Sequence, residues 1–423
     1  MPPASNEADG MTSTTASALH LLTTADGIAN PYPLYEQLRD ASPVAGYQDW
    51  PPGTVPGADE PVTAWALFRY DQVLAAARDS ETFSSRDPIQ EASSAPSLML
   101  VNTDAPAHTA ERKLVSQAFS PRRIRRLEDW LDQLVPRLLA DFDDRTGGDG
   151  DRDVMEFADE VPTRAMVRLL GLPEGDHVRF KNWANAFMLS STMSAEERMA
   201  SNFEMVTAFT ERVTEKLARV DDSQDIEDAE DLISALLRAE LDGQRLTPEQ
   251  VVRFCVTLVV AGSETTTYLI GSVLHAMARE PAVTARLRAD RSLLSTFIEE
   301  VARLTGPNRL FRIATRDVEI DGATIRKGEW VALFFGSANH DPAVFDDPER
   351  LDLDRPNIRQ HLAFGHGLHF CLGAPLARLE VLAIVNAVLD RYSVIGLSEE
   401  PGERQTASLL THGFVRLPLQ LTR

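Results

Sequence analysis

A cysteine in a glycine-rich loop, directly before a long apolar helix, constrains this chain more than any other feature. Residues 364–373 read Phe-Gly-His-Gly-Leu-His-Phe-Cys-Leu-Gly, and an apolar helix is predicted from Ala374 to about Leu389. Glycines in this segment allow tight turns and a close approach of the backbone to a flat ligand. The positive end of the helix points back at Cys371, and backbone N–H groups there, or a bound metal, favour the thiolate. The segment therefore predicts a cysteine that binds a metal.

Two other interpretations of the cysteines are open. A lone cysteine is commonly a small buried hydrophobe, and Cys255, inside the apolar run Phe254–Ala261, fits that description. For the loop, the alternative is a zinc site with four ligands, His361, His366, His369 and Cys371. Structural zinc usually takes pairs of ligands from two separate segments, so ligands crowded into one short stretch fit it poorly.

The pattern F-G-x-G-x-H-x-C-x-G resembles the signature of the cytochrome P-450 superfamily, the haem-thiolate monooxygenases. The resemblance, to the soluble bacterial type, extends from Asn30 to about Pro418. It implies a mainly α fold with a small β portion, the cytochrome P-450 fold. It also implies haem b as the cofactor, Cys371 as the proximal iron ligand, and Phe364 and Gly373 beside the haem.

A second motif lies in the middle of the longest predicted helix. The capping box Thr247-Pro248-Glu249-Gln250 begins this helix, which runs to about Arg279 and is apolar on every side in its middle. The segment 261–266, Ala-Gly-Ser-Glu-Thr-Thr, interrupts the apolar run, although glycine costs roughly 1 kcal/mol relative to alanine in a helix interior. It resembles the superfamily's oxygen-activation motif, A/G-G-x-D/E-T. The resemblance implies that Ala261 contacts the haem, that Thr265 hydrogen-bonds dioxygen, and that Glu264 relays protons through water.

Glu300 and Arg303 are three residues apart, on one face of a predicted helix. A generic surface ion pair of this kind would contribute less than about 1 kcal/mol. The segment Phe345–Leu351 that follows resembles the family's P-E-R-F meander. The resemblance implies a buried structural triad of Glu300, Arg303 and Arg350, with Arg355 as a substitute for Arg350.

Residues 104–112 resemble the family segment D-P-P-x-H-T-x-x-R, with Ala105 as a departure from it. His108 and Arg112 are four residues apart and share one helical face. The haem carries two carboxylates, and arginine binds such groups with two parallel hydrogen bonds. The resemblance therefore implies that the haem propionates contact His108, Arg112, Arg312 and His369.

Composition narrows the class of protein. The net charge of −22 argues against a nucleic-acid partner and favours solubility. Two cysteines leave no disulfide framework, and no segment reaches the roughly 18 uninterrupted apolar residues of a membrane helix. We expect a soluble, cytoplasmic monomer that makes no membrane contact, with a disordered tail at residues 1–29 and a single domain at residues 30–423.

The remaining pattern predicts mostly helices. The predicted elements are a strand at Val62–Phe68, a helix at Tyr70–Asp79, mainly helices from about Ala107 to Arg303, and strands at Leu310–Thr315, Val318–Ile320 and Glu329–Phe335. The predicted loops are Thr82–Asn102, which is long enough to be functional, and the acidic, solvated segments Gly147–Asp153 and Asp221–Asp231.

The resemblance implies a monooxygenase that hydroxylates or epoxidises a small hydrophobic substrate with dioxygen. Electrons would come from an acidic ferredoxin with a separate reductase. Two alternatives are a peroxide-driven peroxygenase, whose relatives often lack the central acid and threonine, and a haem sensor or carrier, which needs no proton relay. By position against the family, the substrate pocket is lined by Thr257, Val260, Ala261, Asn308, Leu310 and Leu410, and a lid is formed by residues 84–100 and 187–189.

Basic residues cluster in one segment of this acidic chain. The cluster consists of Arg112, Lys113, Arg122, Arg123, Arg125 and Arg126. The resemblance places it on the face nearest the cysteine, where electrons enter. Because complementary charge raises association rates, we predict a docking patch for an acidic ferredoxin; the alternative is a solvated helix end.

Overall fold

The computed structural model describes residues 13–50, 62–88, 98–188, 193–221, 225–306, 309–407 and 410–423. Helices make up most of it. The α-helices described are α1 (Ser13–Leu21), α2 (Ala25–Ala29), α3 (Tyr32–Asp40), α4 (Tyr70–Arg78), α5 (Ala107–Ala118), α6 (Pro121–Arg125), α7 (Glu128–Thr146), α8 (Met155–Ala158), α9 (Glu160–Leu170), α10 (His177–Met188), α11 (Ala195–Leu217), α12 (Leu232–Arg238), α13 (Pro248–Gly262), α14 (Glu264–Arg279), α15 (Pro281–Ala289), α16 (Leu294–Thr305), α17 (Phe335–Ala338) and α18 (Ala374–Arg391).

The strands are short and form small sheets. They are β1 (Val44–Trp50), β2 (Val62–Leu67), β3 (Phe83–Ser84), β4 (Gly150–Asp153), β5 (Glu240–Leu241), β6 (Gln244–Arg245), β7 (Leu310–Ala314), β8 (Val318–Ile320), β9 (Ala323–Ile325), β10 (Trp330–Leu333), β11 (Val394–Leu397), β12 (Glu403–Arg404), β13 (Phe414–Arg416) and β14 (Pro418–Thr422). The largest sheet has the order β1-β2-β10-β7-β3, and a second has the order β11-β14-β4. The pairs β5-β6, β8-β9 and β12-β13 are separate two-stranded ribbons.

The largest sheet separates two small apolar layers. β10 pairs with β2 in parallel, with Val331 opposite Trp65, and with β7 in the antiparallel sense. Side chains alternate between the faces of a strand, so Ala332 packs with the N-terminal helices while Val331 and Leu333 pack on the side of α4. This sheet therefore joins the N-terminal helices to the rest of the molecule.

The main core lies between helices. It is built on α13 and α14, which pack with α9, α11, α16 and α18, and it extends from Leu98 to Leu421. Cys255 is fully buried in this core, which agrees with the prediction of a small buried hydrophobe. The pair α13–α14 is, among the described residues, the helix long and apolar enough to cross a bilayer, and 78% of its most apolar stretch is buried inside the protein.

The predicted capping box begins this central helix. The Thr247 hydroxyl accepts a hydrogen bond from the Gln250 N–H (3.2 Å), and the Gln250 side chain accepts one from the Thr247 N–H (2.9 Å). The predicted end at Arg279 also agrees with the structure. The predicted single helix is wrong in one respect, because Ser263 separates α13 from α14 with φ −94° and ψ −71°.

The prediction of a disordered tail up to residue 29 is wrong for residues 13–29. They form α1 and α2, and Leu19, Leu22 and Ile28 are buried in the apolar layer of the largest sheet. The segment looked disordered because its sequence is rich in serine, threonine and alanine. Its few apolar residues are nevertheless spaced so that they meet α3 and the sheet, a contact that local composition does not reveal.

The two acidic segments are also more ordered than predicted. Residues 150–153 form β4, which pairs with β14, and the buried Arg152 of this strand contacts Asp143. Burial alone would raise the pKa of Asp143, but hydrogen bonds from Tyr392, Arg152 and two further arginines lower it to about 2. In the second segment Asp231 is buried, caps α12 through the Ser234 N–H (2.8 Å) and pairs with Lys216. Charge runs therefore mark buried ion pairs here, not only solvated loops.

Candidate active site

The cysteine loop folds as its glycines predict. Gly365 and Gly367 both have φ +69°, and a Cβ on Gly367 would lie 2.8 Å from the Ala77 carbonyl oxygen. The Cys371 N–H donates to the Phe364 carbonyl (2.9 Å), which closes the loop immediately before α18. Both conformation and space therefore require glycine at position 367.

The surroundings of the Cys371 thiol act on its ionisation in opposite directions. Burial raises the pKa of Cys371, while the backbone N–H groups of Gly373 and Ala374 and the charges of Arg112 and Arg378 lower it. Because burial is the larger effect, the pKa of the thiol lies above its usual value, and a bound metal would favour the thiolate. Donors are in place on the protein side to stabilise a thiolate once a metal is bound.

The alternative zinc site does not form. His361 lies 2.9 Å from the Glu299 carboxylate, His366 contacts Arg78, and the two ring nitrogens of His369 contact Ser85 and Leu100. All four proposed zinc ligands lie within the described residues, and no group of three or more potential metal ligands occurs there. The histidines of this segment point to different partners because each sits on a different turn of the loop.

Two hydrogen-bond donors, His108 and Arg112, lie next to the cysteine loop. His108 is fully buried, and neither of its ring nitrogens has a hydrogen-bond partner within the described part of the chain. Its ring centroid is 4.5 Å from that of His369. Arg112 donates to the Phe370 carbonyl (2.9 Å), so helix α5 contacts the loop directly. An unpartnered buried donor indicates a polar ligand.

The charges around these donors favour an anionic ligand. Arg312 is buried, and burial lowers its pKa to about 10, with Asp104 acting in the opposite direction. Asp104 itself accepts hydrogen bonds from the Ser84 hydroxyl and from the Ser85 N–H (2.9 Å). Buried cations need counter-charges, so this donor set fits the two carboxylates of a haem.

His369 is used differently from the prediction. Its Nδ1 lies 3.0 Å from the Leu100 carbonyl oxygen, which can only accept, so Nδ1 carries the proton and Nε2 accepts from the Ser85 hydroxyl (2.9 Å). Both ring nitrogens are therefore occupied by the protein. Of the four residues predicted to contact the propionates, His369 has both ring nitrogens bonded within the protein. His108, Arg112 and Arg312 are better placed to donate to a ligand.

The interruption at Ser263 opens the middle of the central helix. The Ser263 and Thr163 hydroxyls are 3.1 Å apart, and the Thr265 hydroxyl donates to the Ala261 carbonyl (2.8 Å). Hydroxyls that bond back to the preceding turn bend helices. Ala261 and Thr265 are exposed although their neighbours on the helix are buried. They therefore line an open space inside the fold.

Glu264 faces away from solvent on the same turn. It is buried, one of its carboxylate oxygens has no hydrogen-bond partner among the described residues, and burial raises its pKa to about 7 despite the charge of Lys181. Lys181 of α10 pairs with Asp159, and both residues line a polar groove of about 340 Å³ at the protein surface. The carboxyl of Glu264 can therefore exist protonated or ionised near neutral pH.

The predicted pocket residues are only partly exposed. Leu310 is exposed and Leu410 is half-buried, whereas Thr257 and Val260 are buried. The Thr257 hydroxyl donates to the Arg253 carbonyl (2.9 Å), so it serves the helix itself. Asn308, and most of the predicted lid, residues 89–97 and 189, lie outside the described residues.

The predicted triad is wrong in its third member. Glu300 and Arg303 are fully buried and form two hydrogen bonds (2.9 and 2.8 Å), but the second arginine on Glu300 is Arg355, at 2.8 Å. The Arg350 side chain is 62% exposed and pairs with Asp352. Arg350 contributes its backbone carbonyl, which accepts from Arg355 (3.0 Å). The motif resemblance located the meander, but the turn after Arg350 brings Arg355 to the carboxylate.

Several residues of the site carry no sequence signal of their own. Glu299, beside the triad, binds Arg378 of α18 and His361, and although burial would raise its pKa, these hydrogen bonds lower it to about 2. Lys181 lies on α10, and Asp159 lies at the junction of α8 and α9. Charged residues on exposed helix positions are common, so only the packing of these helices identifies the pairs.

The basic cluster is only partly available to a partner. Arg123 is buried and donates to the carbonyls of Ala118, Ala229 and Ile226, so its place in a docking patch was wrong. Lys113, Arg122, Arg125 and Arg126 are exposed. A groove of about 710 Å³ lies beside the cysteine loop, and its lining includes Arg78, Arg359 and the exposed ring of Phe370.

Comparison with known proteins gives a consistent result. The family profile of Cytochrome P-450 matches residues 175–421. The cytochrome P-450 monooxygenase PikC of Streptomyces venezuelae is 37% identical over 390 residues, which cover 89% of this chain and 88% of PikC. The cyclomarin C epoxidase CymV of Salinispora arenicola is 35% identical and covers 80% of this chain and 85% of its own. The crystal structure of CYP109E1 from Bacillus megaterium in complex with testosterone is similar, with a TM-score of 0.78, 31% identity, and coverage of 92% of this chain and 99% of that one.

The corrected triad predicts different effects for two neighbouring arginines. We expect Arg355→Met to lower the free energy of unfolding by about 3 to 5 kcal/mol, because it leaves part of a buried carboxylate unpaired. We expect Arg350→Met, at an exposed side chain, to change it by less than about 0.5 kcal/mol. Urea denaturation followed by circular dichroism measures both. Equal losses in the two variants would contradict the assignment of Arg355.

Proposed function

Because the chain belongs to the cytochrome P-450 family and is a monooxygenase of that family, we propose that it hydroxylates or epoxidises a neutral, hydrophobic small molecule. In this proposal haem b is held by Cys371 and electrons come from an acidic ferredoxin with a separate reductase. We propose that the protein acts as a cytoplasmic monomer.

One observation carries the proposal: a buried histidine without a partner and a half-buried arginine lie beside the cysteine loop. His108 has no partner for either ring nitrogen within the described chain, and Arg112 bridges α5 to the carbonyl of Phe370, next to Cys371. The thiol would bind a metal ion, and the donors would bind anionic groups. A ligand with both a metal centre and carboxylates would meet both requirements. Haem has both.

Different residues of the chain would bind different parts of the haem. The Cys371 thiolate would ligate the iron, stabilised by the N–H groups of Gly373 and Ala374. Arg312 and Arg112 would neutralise the carboxylates, and His108 would donate to one of them. When bound, the haem supplies the activation of dioxygen, which amino-acid side chains cannot carry out.

Thr265 and Glu264 would deliver protons for the reaction. The Thr265 hydroxyl lines the open space in the central helix, where it donates to the Ala261 carbonyl; it would turn from that carbonyl to donate a hydrogen bond to dioxygen. Glu264, with its pKa raised to about 7 by burial, can release and regain a proton at neutral pH. Lys181 and Asp159 would link it to water in the polar groove. A haem sensor would need none of these groups.

The exposed surface in the middle of the fold favours a neutral substrate. The described pocket candidates that are exposed or half-buried, namely Ala261, Thr265, Leu310 and Leu410, carry no charge. An ion without a partner is costly to bury. The relative CYP109E1 was crystallised with testosterone, a neutral and largely apolar molecule, which supports the same class of substrate here.

Cys371→Ala tests the cofactor assignment. We expect the variant to lose the strongly red-shifted Soret band that the reduced protein gives with carbon monoxide, because only a thiolate ligand produces that band. Cys255→Ala, which removes the buried thiol of α13, is the matched control and should retain it. Difference spectra of the reduced, carbon monoxide-treated proteins are the measurement, and the proposal fails if Cys371→Ala keeps the band.

Thr265→Ala tests the proton-delivery assignment. We expect the product formed per NADPH to fall about tenfold or more, with the electrons recovered as hydrogen peroxide, since positioned proton donors contribute roughly 10²- to 10⁴-fold. Substrate affinity should change little. Thr266→Ser, at a buried neighbour, is the control. Unchanged coupling in Thr265→Ala would contradict this role, and the absence of substrate-dependent NADPH use in the wild type would favour a sensor or carrier.

The exposed basic residues of α6 and its flanks support a docking site for an acidic partner. Lys113, Arg122, Arg125 and Arg126 lie on or next to helices α5 and α6, and α5 contacts the cysteine loop through Arg112. Electrons would therefore enter close to the thiolate. Surface charges of this kind chiefly raise association rates and act less at high salt.

Reversal of two of these charges tests the site. We expect Arg122→Glu with Arg125→Glu to slow reduction by ferredoxin about tenfold or more at low ionic strength, and much less at high ionic strength. The control is Arg326→Glu with Lys327→Glu, which makes the same change of net charge at the exposed turn between β9 and β10. Stopped-flow reduction rates are the measurement. Equal reduction rates in the two double variants would contradict a docking role for the basic cluster.

A further inference from the structure

The N-terminal helices contact the terminal loop that carries Leu410. The loop lies between β12 and β13, and the structure describes its residues 405–407 and 410–413. The Gln405 N–H donates to the Gly413 carbonyl (3.0 Å), and the Gln405 side chain donates to the Thr411 carbonyl. His412, two residues after Leu410, is buried and points towards α2 and α3. The loop is therefore attached to a part of the chain nearly 400 residues away in sequence.

The contacts of His412 fix its tautomer. Its Nε2 lies 3.1 Å from the Ala29 carbonyl oxygen, which can only accept, and 3.4 Å from the Arg404 guanidinium, so the shorter contact assigns the proton to Nε2. Its Nδ1 must then accept, and the Tyr32 hydroxyl lies 3.3 Å from it. Burial and the nearby Arg404 lower the pKa of His412 to about 4, so the ring is neutral at neutral pH. Both nitrogens are used by the N-terminal helices.

Tyr32 is held in turn by the layer beneath it. Its ring packs on His340, with 4.6 Å between centroids, and meets the edge of Tyr35. His340 follows α17 and its Nδ1 lies 2.8 Å from the Gly336 carbonyl oxygen. The hydroxyl of Tyr32 therefore has a fixed position, set by packed rings and not by a mobile surface side chain.

The other side of the loop lies against the central helix. A Cβ on Gly413 would fall 2.2 Å from Cγ of Tyr268, so only glycine allows the backbone to pass there. Tyr268 is four residues after Glu264 and lies on the same face of α14. The loop is thus held between the N-terminal helices and the helix that carries the proton-delivery residues.

We propose that Tyr32 and His412 are positioning residues of the substrate pocket: they fix the terminal loop, so that the N-terminal helices determine how large a ligand is accepted beside Leu410. This inference rests on the proposed function, because it takes Leu410 as a pocket residue. It predicts that loss of one hydroxyl on α3 affects large ligands and leaves small ones unaffected.

Tyr32→Phe removes that hydroxyl and keeps the ring on His340. Tyr35→Phe is a matched control, because it makes the same change three residues away at a hydroxyl with no partner among the described residues. His412→Phe is a second test that breaks the contact from the loop side. Two azoles serve as probes of the full-length holoprotein: imidazole, a single small ring, and econazole, a bulky diaryl imidazole that we expect to reach the loop.

We expect Tyr32→Phe and His412→Phe to change the Kd of econazole about fivefold, which is the effect of one neutral hydrogen bond, and to leave the Kd of imidazole and all values of Tyr35→Phe unchanged. Amide hydrogen exchange in residues 405–413 should become faster by about the same factor, because the loop opens more often. Spectral titration and mass spectrometry measure the two effects.

The outcomes separate the two proposals. The inference would be overturned if both variants had wild-type Kd values for both probes and wild-type exchange rates. It would also be overturned if the Kd values of imidazole and econazole rose equally, because that indicates general loss of structure. Faster exchange with an unchanged ratio of the two Kd values would overturn the role in ligand size. A wild-type protein that gives no azole spectrum would instead overturn the proposed haem function, and the exchange data would still decide whether Tyr32 fixes the loop.

Discussion

The buried ion pair of Glu300 with Arg303 and Arg355 is the interaction on which the position of the cysteine loop depends. Arg303 also donates to the Asn339 carbonyl (2.8 Å), and the Asn339 side chain accepts from the Leu362 N–H (2.6 Å), two residues before the loop. Charges buried this deeply are stable only when every one is paired. The requirement to pair a single carboxylate therefore fixes the segment that leads to the cysteine loop.

The groups of the candidate active site are paired less completely. The Glu300 carboxylate is paired with two arginines, whereas His108 is buried with no partner for either ring nitrogen within the described residues, and Glu264 is buried with one oxygen unsatisfied there. Each of these groups lowers the stability of the protein alone. In the proposed function they lie where a haem would supply carboxylates and where a proton would be exchanged. Stability and function would then be divided between the paired network of Glu300 and the incompletely paired groups of the candidate site.

Predictions from local sequence held where the physical cause is local. The capping box at Thr247, the glycine turn at Gly367 and the exchange of helices for strands after residue 306 depend on neighbours within a few residues, and the structure has each of them. Arg350 was wrong because the choice between two arginines depends on how the meander turns. The tail at residues 13–29 was wrong because its few apolar residues are buried by α3 and the sheet.

By itself the sequence determined the capping box of the central helix, the glycine turns of the cysteine loop, the fold class and the family, since these follow from residue types at fixed short spacings. Tertiary structure alone decided which charges meet: Arg355 with Glu300, Lys181 with Asp159, and His412 with the N-terminal helices. The physical reason is the range of the interactions. Turns and caps are set by hydrogen bonds between near neighbours, whereas buried ion pairs and loop contacts join segments up to several hundred residues apart, whose approach is fixed only when the whole core packs.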